Sequence, residues 1–219
     1  MLAAAGRGER LGLEQPKAFA PLRGRPLLAE SLERLEASGW VEAIVVAAPP
    51  GWEEPTILLA EELGCGKVVS CVSGASNRAE SVRTALAEVP ADAAVVLVHD
   101  AARPLLPEEV IERVVSTLGD GWDGAVPALP VPDTVKRVDD GRVTETLDRA
   151  GLVVVQTPQA FIATALRRAF SAPAQDLIQA GDCASLVEAS GGRVCVVEGD
   201  RRLLKVTTPD DLRVVAAML

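Results

Sequence analysis

Glycines and cations alternate in the first stretch of the chain, residues 2–17, which read LAAAGRGERLGLEQPK. Glycine-rich loops commonly hold phosphate, and Arg10 and Lys17 would add positive charge to such a loop. A Walker A loop is excluded because no lysine directly follows Gly12. A dinucleotide fingerprint is excluded because the spacing from Gly6 to Gly12 is one residue too long. The stretch therefore predicts either a phosphate loop of a third kind or a plain turn.

Three further segments carry polar residues where an anionic ligand could bind. Asp100 lies two residues after an apolar strand predicted over Ala93–Val98, and ligands of open α/β sheets bind at the carboxyl ends of strands. A carboxylate there could meet ribose hydroxyls or a metal held by phosphates, or could simply cap a turn. Lys205 is flanked by leucine and valine, so it needs an anionic partner. Arg78 and Ser81 follow a glycine-containing loop at the start of a predicted helix, whose N-terminus favours anions.

Composition excludes several classes of function. The chain has 219 residues and a net charge of -9, so broad nucleic-acid binding is not expected. Its hydrophobic fraction of 48% predicts a sizeable aliphatic core. Four cysteines without a C-x-x-C pair, and a single histidine, His99, predict free thiols rather than a zinc site. His99 itself is predicted to be structural. No uncharged apolar run of 18 residues and no signal peptide is found, so we expect no membrane partner and a cytoplasmic location.

Alternation of strands and helices predicts an α/β doubly wound, mostly parallel, Rossmann-like sheet. A helix is predicted around Leu27–Leu35, a second begins at Pro107, and a third is capped by Thr208 and followed by a proline. The predicted strands are Val41–Ala48, Val68–Val72, Ala93–Val98, Gly124–Val131, Val153–Gln156 and Val194–Val197.

The segment Val131–Leu152 interrupts this rhythm. Two runs that alternate apolar with polar residues, Val135–Val138 and Arg142–Leu147, flank an Asp-Gly pair, which is a strong hairpin signal. The runs are too polar for the central sheet. We therefore predict a protruding β-arm over residues 131–152, of a kind that commonly docks on a second subunit; a solvated surface hairpin is the alternative.

Taken together, the motifs resemble those of the 2-C-methyl-D-erythritol 4-phosphate cytidylyltransferase family. They fall in that family's order and spacing over nearly the whole chain, which implies a single nucleotidyltransferase domain over 1–219. The motifs that carry the resemblance are AAGRGERLG with the following PK, NRAESV, VHDAARP, DTVKR, TLDR, TPQ and KVTTPDDL.

The resemblance implies a reaction between two anions. CTP and an alcohol phosphate would give a CDP-alcohol and pyrophosphate, with Mg²⁺ as cofactor and a homodimer formed through the β-arm. Because both reactants are negatively charged, the protein has mainly to position them and to neutralise charge.

The resemblance also implies roles for particular residues. Arg10 and Lys17 resemble the cations that stabilise charge at the α-phosphate, and Arg149 with Lys205 resembles the pair that positions the substrate phosphate, all four counted as catalytic. Substrate contacts from the dimer mate would include Arg103 and Thr134 beside Arg149. The nucleotide would contact Ala3, Ala4, Gly6, Gly74, Ser81, Asp100 and Ala101, with Asp100 also a possible metal ligand.

Two departures from the family pattern keep alternatives open. Only Met1 and Leu2 precede Ala3, so the first strand is either stunted or preceded by further residues. Gly181-Asp182-Cys183 replaces the family's Thr-Asp-Glu, so a hydroxyl contact to the substrate is lost. A cytidylyltransferase for another polyol phosphate, such as ribitol 5-phosphate, and a non-catalytic nucleotide-binding domain are therefore alternatives. A nicotinamide-dependent oxidoreductase is disfavoured by the misfit to G-x-G-x-x-G.

Overall fold

The computed structural model describes residues 1–219, apart from the side chain of Ala174. Its strands are β1 (Leu2–Ala3), β2 (Pro21–Leu22), β3 (Arg25–Pro26), β4 (Ile44–Ala48), β5 (Val68–Ser73), β6 (Val95–Asp100), β7 (Gly124–Pro130), β8 (Val135–Asp139), β9 (Arg142–Leu147), β10 (Val153–Val155), β11 (Gln159–Ile162) and β12 (Val194–Glu198). Its helices are α1 (Leu27–Ala37), α2 (Glu53–Glu62), α3 (Arg78–Ala87), α4 (Glu108–Thr117), α5 (Ala163–Ala169), α6 (Ala174–Gln179), α7 (Cys183–Ala189) and α8 (Pro209–Met218).

The central sheet is mixed and mostly parallel, with helices on both faces, which confirms the predicted fold class. One half contains β6, β1, β4 and β5 in that order, all parallel to their neighbours. In the other half β11 lies antiparallel between β6 and β7, while β7 also pairs with β10 (antiparallel) and with β12 (parallel). The carboxyl ends of β1, β4 and β6 therefore meet at one edge of the sheet.

Two aliphatic layers cover the faces of this sheet. Leu28, Leu32 and Ile111 belong to the cluster that packs α1, α2 and α4 on one face. Phe161 and Leu166 belong to the cluster under α3, α5 and α7 on the other face. Because β4 is covered on both sides, its five residues, IVVAA, are all buried, as expected for a parallel strand inside an α/β sheet.

The predicted strand starts are wrong at two positions. The sequence pattern begins a strand at Val41, but the N–H of Val41 donates to the carbonyl of Ser38 and the strand begins only at Ile44. Ala93 closes a turn by donating to the carbonyl of Pro90, so β6 begins at Val95. At the other end β6 runs through Asp100, two residues beyond the prediction.

The predicted helix starts are confirmed. Helix α4 begins directly after Pro107. The hydroxyl of Thr208 accepts a hydrogen bond from the N–H of Asp211, and a capping box closes the first turn of α8. Asp182 caps α7 in the same way, with Ser185 as its partner. None of the helices described by the structure is long and apolar enough to cross a membrane.

The predicted hairpin is present as a two-stranded sheet of its own. Strands β8 and β9 pair with each other and with no strand of the central sheet among the residues described. Asp140 and Gly141 both have positive φ, 45° and 75°, as a two-residue hairpin turn requires. The side chains of Val138 and Val143 are 56% and 54% exposed. A role of this hairpin in dimerisation stays a prediction.

Strand β1 is short but central. Leu2 pairs with Val46 of β4 and with His99 of β6, and Ala3 pairs with Ala47 and Asp100. These two residues are enough to bring the glycine-rich loop out beside the end of β6.

Candidate active site

A cavity of about 660 Å³ opens at the carboxyl ends of β1, β4 and β6, where ligands of α/β sheets bind. It is bordered by the glycine-rich loop, by the loop before α3, by the end of β6 and by the segment before α8. Of the residues predicted from the sequence, those that line it are Ala3, Ala4, Gly6, Arg10, Lys17, Gly74, Ser81, Asp100, Ala101 and Lys205.

The glycine-rich loop forms two tight turns that carry its cations. Gly8 and Gly12, with φ of 72° and 65°, flank a 3₁₀ turn over Glu9–Leu11, and Arg10 lies in that turn. Lys17 starts a second 3₁₀ turn after a proline. The two turns place both cations on the cavity.

Lys17 is held by the backbone of a distant segment. Its ammonium donates to the carbonyl oxygen of Val206 at 3.3 Å. Burial and the nearby charge of Lys205 lower the pKa of Lys17, with Asp100 opposing that effect. A partly desolvated ammonium beside other cations is an environment that favours a bound anion.

The carboxylate of Asp100 lies between two cations. Nε and Nη2 of Arg78 are both 3.0 Å from Oδ1, and Nζ of Lys205 is 2.6 Å from Oδ2. Asp100 is only 6% exposed. Burial alone would raise the pKa of Asp100, but Arg78 and Lys205 outweigh it and hold that pKa well below its usual range. Asp100 is therefore ionised and fixed.

A buried hydrogen-bond network supports Asp100 from behind. Its backbone N–H donates to Oγ1 of Thr157 at 3.0 Å, and that hydroxyl lies 3.1 Å from Nδ1 of His99. Nε2 of His99 lies 3.0 Å from the carbonyl oxygen of Arg103, so Nε2 carries the proton and Nδ1 accepts from Thr157. Burial lowers the pKa of His99 to about 4, which keeps the imidazole neutral. These contacts agree with the structural role predicted for His99.

The loop before α3 is shaped by its own side chains. The side chain of Asn77 accepts from the N–H of Glu80 and caps the helix. The buried hydroxyl of Ser81 donates to the carbonyl oxygen of Asn77 at 2.8 Å and accepts from the N–H of Ala75 at 2.9 Å. The Ser81 proton is thus committed within the loop, and the hydroxyl can offer a ligand only a lone pair.

Gly74 allows this loop to touch the glycine-rich loop. A Cβ at residue 74 would lie 2.1 Å from Cβ of Ala5 and 2.9 Å from the carbonyl oxygen of Ala48. No side chain fits there. The two loops that border the cavity are therefore in direct contact.

Comparison with known proteins assigns this constellation to a family. The family model described as "IspD: 2-C-methyl-D-erythritol 4-phosphate cytidylyltransferase" matches residues 1–219. The chain belongs to this family. A 2-C-methyl-D-erythritol 4-phosphate cytidylyltransferase of Nocardia farcinica is 47% identical, over 100% of this chain and 92% of the relative. One of Saccharopolyspora erythraea is 46% identical, over 100% and 97%. The crystal structure of the Thermus thermophilus protein of that name superposes with a TM-score of 0.80 at 33% identity, covering 100% of this chain and 97% of that chain.

Three residues for which family resemblance predicts substrate contacts lie outside the cavity of the single chain. Thr134 and Arg149 are exposed at the base of the hairpin, and Nη1 of Arg149 contacts the carbonyl oxygen of Pro132. Arg103 is partly buried behind the site, where its Nη1 donates to the carbonyl oxygen of Leu203 at 2.5 Å. One chain thus brings together the predicted nucleotide contacts with Arg10, Lys17 and Lys205, but not the predicted contacts from a dimer mate.

Arg78 is not among the site residues predicted from family roles. Its position in the sequence predicts only an anion-favouring helix start, whereas in the structure Arg78 is the second cation on Asp100. Arg78 also approaches the buried Sγ of Cys183, 3.6 Å from its Nη1. The residue that departs from the family's Thr-Asp-Glu pattern at 183 therefore lies directly behind the Arg78–Asp100 pair. Asp182, which is kept, accepts from Nε2 of Gln159 at 2.7 Å.

Proposed function

We propose that this chain joins CTP to 2-C-methyl-D-erythritol 4-phosphate, giving 4-diphosphocytidyl-2-C-methyl-D-erythritol and pyrophosphate in non-mevalonate isoprenoid biosynthesis. The observation that carries the proposal is the convergence of Arg10, Lys17 and Lys205 on one cavity that also holds Asp100. The names of the relatives support the choice of substrates. The cytoplasmic location expected from the sequence is part of the same proposal.

The proposed chemistry is an in-line displacement at phosphorus. A phosphate oxygen of the alcohol phosphate forms a bond to the α-phosphorus of CTP, and the bond from that phosphorus to the bridging oxygen of pyrophosphate breaks. Lys17 and Arg10 would stabilise the negative charge that develops around the α-phosphate, because both residues line the cavity. Lys205 would hold the attacking phosphate.

The nucleotide would lie between the two loops that touch at Gly74. Backbone groups of Ala3, Ala4 and Gly6 would meet the phosphates, and Asp100 with Ala101 would face the ribose. Because the Ser81 proton is already donated within its loop, the free lone pair of Ser81 would accept from the exocyclic amine of cytosine. Uracil carries an acceptor at that position, so this arrangement favours CTP over UTP.

Mg²⁺ fits the site as part of a nucleotide complex. Among the residues described, no cluster of three potential ligand side chains is present, and the carboxylates that line the cavity are the buried Asp100 and the exposed Glu9. Magnesium commonly uses one or two carboxylates together with substrate phosphates, which this site would provide. Asp100 would hold the ion in place of its contact with Lys205. When bound, Mg²⁺ would neutralise triphosphate charge.

A homodimer would complete the substrate site. Arg149, Thr134 and Arg103 would contact the alcohol phosphate bound to the partner subunit, and the hairpin would form the contact between subunits. The exposed valines of the hairpin, Val138 and Val143, support this role because an exposed apolar pair on a two-stranded sheet is costly when left in water. The dimer is tested by light scattering after size-exclusion chromatography.

A pyrophosphate-release assay tests the proposal directly. CTP is compared with ATP, GTP and UTP, and each nucleotide is offered 2-C-methyl-D-erythritol 4-phosphate or ribitol 5-phosphate, with and without Mg²⁺. We expect turnover with CTP and the erythritol phosphate, and none after chelation of magnesium. Preference for ribitol 5-phosphate would support the second candidate, which is favoured by the loss of a hydroxyl at Gly181. CTP binding without turnover on any alcohol phosphate would support a non-catalytic domain.

A further inference from the structure

Gly8 lies against the stem of Lys17. A Cβ built on Gly8 would be 2.6 Å from Cβ of Lys17, 3.2 Å from its Cα and 3.4 Å from its Cγ. Atoms at 2.6 Å overlap strongly, and the nearest of these atoms are at the rigid root of the lysine rather than at its flexible end. Any side chain at residue 8 would therefore push the whole of Lys17 out of place.

The ammonium end of the Lys17 side chain is held by a hydrogen bond, away from Gly8. Its Nζ donates to the carbonyl oxygen of Val206, and a Cβ on Gly6 would reach Cε of Lys17 only at an ordinary contact distance of 3.9 Å. The lysine stem thus passes along the glycine-rich loop, closely packed at Gly8 and anchored at Val206. A shift at its root would be carried to its ammonium.

We propose that Gly8 is a positioning residue. The stem of Lys17 occupies the space that a side chain at residue 8 would fill. The inference rests on the catalytic role proposed for Lys17. It assigns Gly8 a steric role in addition to the freedom that its positive φ of 72° requires. A misplacement of about 1 Å at a catalytic group can cost roughly 10²-fold in rate, so this contact has a measurable consequence.

Gly12 provides a matched control in the same loop. Its φ of 65° is as unfavourable for alanine as that of Gly8, but a Cβ on Gly12 would have no neighbour within 4 Å. Gly12→Ala therefore introduces the same backbone strain without contact to Lys17. Comparison of the two variants separates strain from displacement of the lysine.

Steady-state kinetics test the proposal first. We expect Gly8→Ala to lower kcat by about 10²-fold, approaching the loss caused by Lys17→Ala, and Gly12→Ala to lower it clearly less, since only backbone strain is introduced there. Because both changes act through one ammonium, Gly8→Ala/Lys17→Ala should remain within about twofold of Lys17→Ala alone. Equal activity of the Gly8→Ala and Gly12→Ala variants, or multiplication of the two losses in the double variant, would overturn the proposal.

A stability cycle tests the contact without relying on catalysis. Lys17→Gly removes the Cβ with which a methyl group at residue 8 would collide. We expect Gly8→Ala to lower the melting temperature more in the unmodified protein than in the Lys17→Gly variant, even if Gly8→Ala alone folds poorly. Equal losses in the two backgrounds would overturn the contact. Full turnover of Lys17→Ala would instead refute the catalytic role of Lys17 and leave the result of this cycle standing.

Discussion

The cation-lined cleft and the hairpin of the same chain differ in how their polar groups are held. In the cleft, Asp100 is fixed by Arg78 and Lys205, and Lys17 is anchored on the backbone of Val206. At the base of the hairpin, the guanidinium of Arg149 donates to the nearby backbone carbonyl of Pro132, and both hairpin strands are largely exposed.

This difference indicates which parts of the site are prepared within one chain. Electrostatic catalysis depends on groups that need no rearrangement when the reaction occurs, and the buried network behind the cleft provides such groups. A two-stranded hairpin is marginally stable on its own and gains order from contact with a partner. We therefore expect changes in the cleft to act within the subunit that carries them, and changes in the hairpin to act across subunits.

The largest expected effect is the loss of Lys17. Lys17→Ala should lower kcat by about 10²–10³-fold, by analogy with the removal of one oriented donor from an oxyanion site. The fold should be retained, as measured by circular dichroism. Lys67→Ala serves as a control, because the Lys67 ammonium donates to the carbonyl of Ser38, outside the cleft. Near-unchanged turnover of Lys17→Ala would contradict the view that the cleft holds preorganised catalytic charge.

The second effect tests the buried support of the cleft. His99 has its pKa lowered from 6.5 to about 4, so below pH 6.5 the unfolded chain binds a proton that the folded chain refuses. The free energy of unfolding should therefore decrease as the pH falls from 6.5 to 4, by up to about 3 kcal/mol from this residue. Denaturant titrations at several pH values measure the loss.

His99→Gln isolates this contribution. This variant is needed because other charged groups, namely Asp100, Arg103 and the buried amine of Met1, also act on His99. Burial lowers the pKa of that amine to about 5, so it titrates in the same pH range. His99 is the sole histidine of the chain, so no other imidazole contributes. We expect the variant to show a clearly shallower pH dependence; an unchanged slope would contradict a neutral buried imidazole.

The third effect concerns the hairpin and a partner. Arg149→Ala should raise KM for the alcohol phosphate by about 10–100-fold, the worth of one charged hydrogen bond, with a smaller change in kcat. Mixed with Lys17→Ala and assayed at an alcohol phosphate concentration well below the KM of the Arg149→Ala variant, it should recover roughly a quarter of the unmodified activity, because half of random dimers are mixed and each has one intact site. Absence of recovery would show that Arg149 does not act across subunits.

The smallest effect sharpens the role of the hairpin turn. Gly141→Ala places a side chain at a φ of 75°, at a cost of about 1 kcal/mol, and should weaken dimerisation by up to about fivefold. CTP affinity should not change. Gly119→Ala, at a glycine with open space and no positive φ, is the control. Equal dimer dissociation constants for the two variants would argue against a hairpin interface.

Local sequence signals predict much of this fold because their cause is local. The Asp-Gly turn at residues 140–141 and the cap at Thr208 depend on neighbours within a few residues, and both are present as predicted. Strand β11 is not among the strands predicted from the sequence, since its four residues, QAFI, run directly into α5 without a turn between them. Its antiparallel position between β6 and β7 depends on distant pairing that no local pattern reveals.

The sequence predicts which residues belong to the site better than it predicts how those residues contact one another. Ordered motifs place Asp100 and Lys205 in one active site, but their direct contact joins residues 105 positions apart in the chain. The sequence marks Arg78 only as part of a helix start, although its guanidinium contacts one Asp100 oxygen through two nitrogens. Which charges neutralise each other is decided by the packing of β6 against the segment before α8, and the sequence does not specify that geometry.

The contact between Ala5 and Gly74 has an evolutionary consequence. Because a Cβ at 74 would overlap both the methyl group of Ala5 and the backbone carbonyl oxygen of Ala48, no substitution at residue 5 alone makes room for a side chain at 74. A lineage that changes its preferred nucleotide through these loops would therefore have to keep glycine at 74, which removes one position from which base preference could drift.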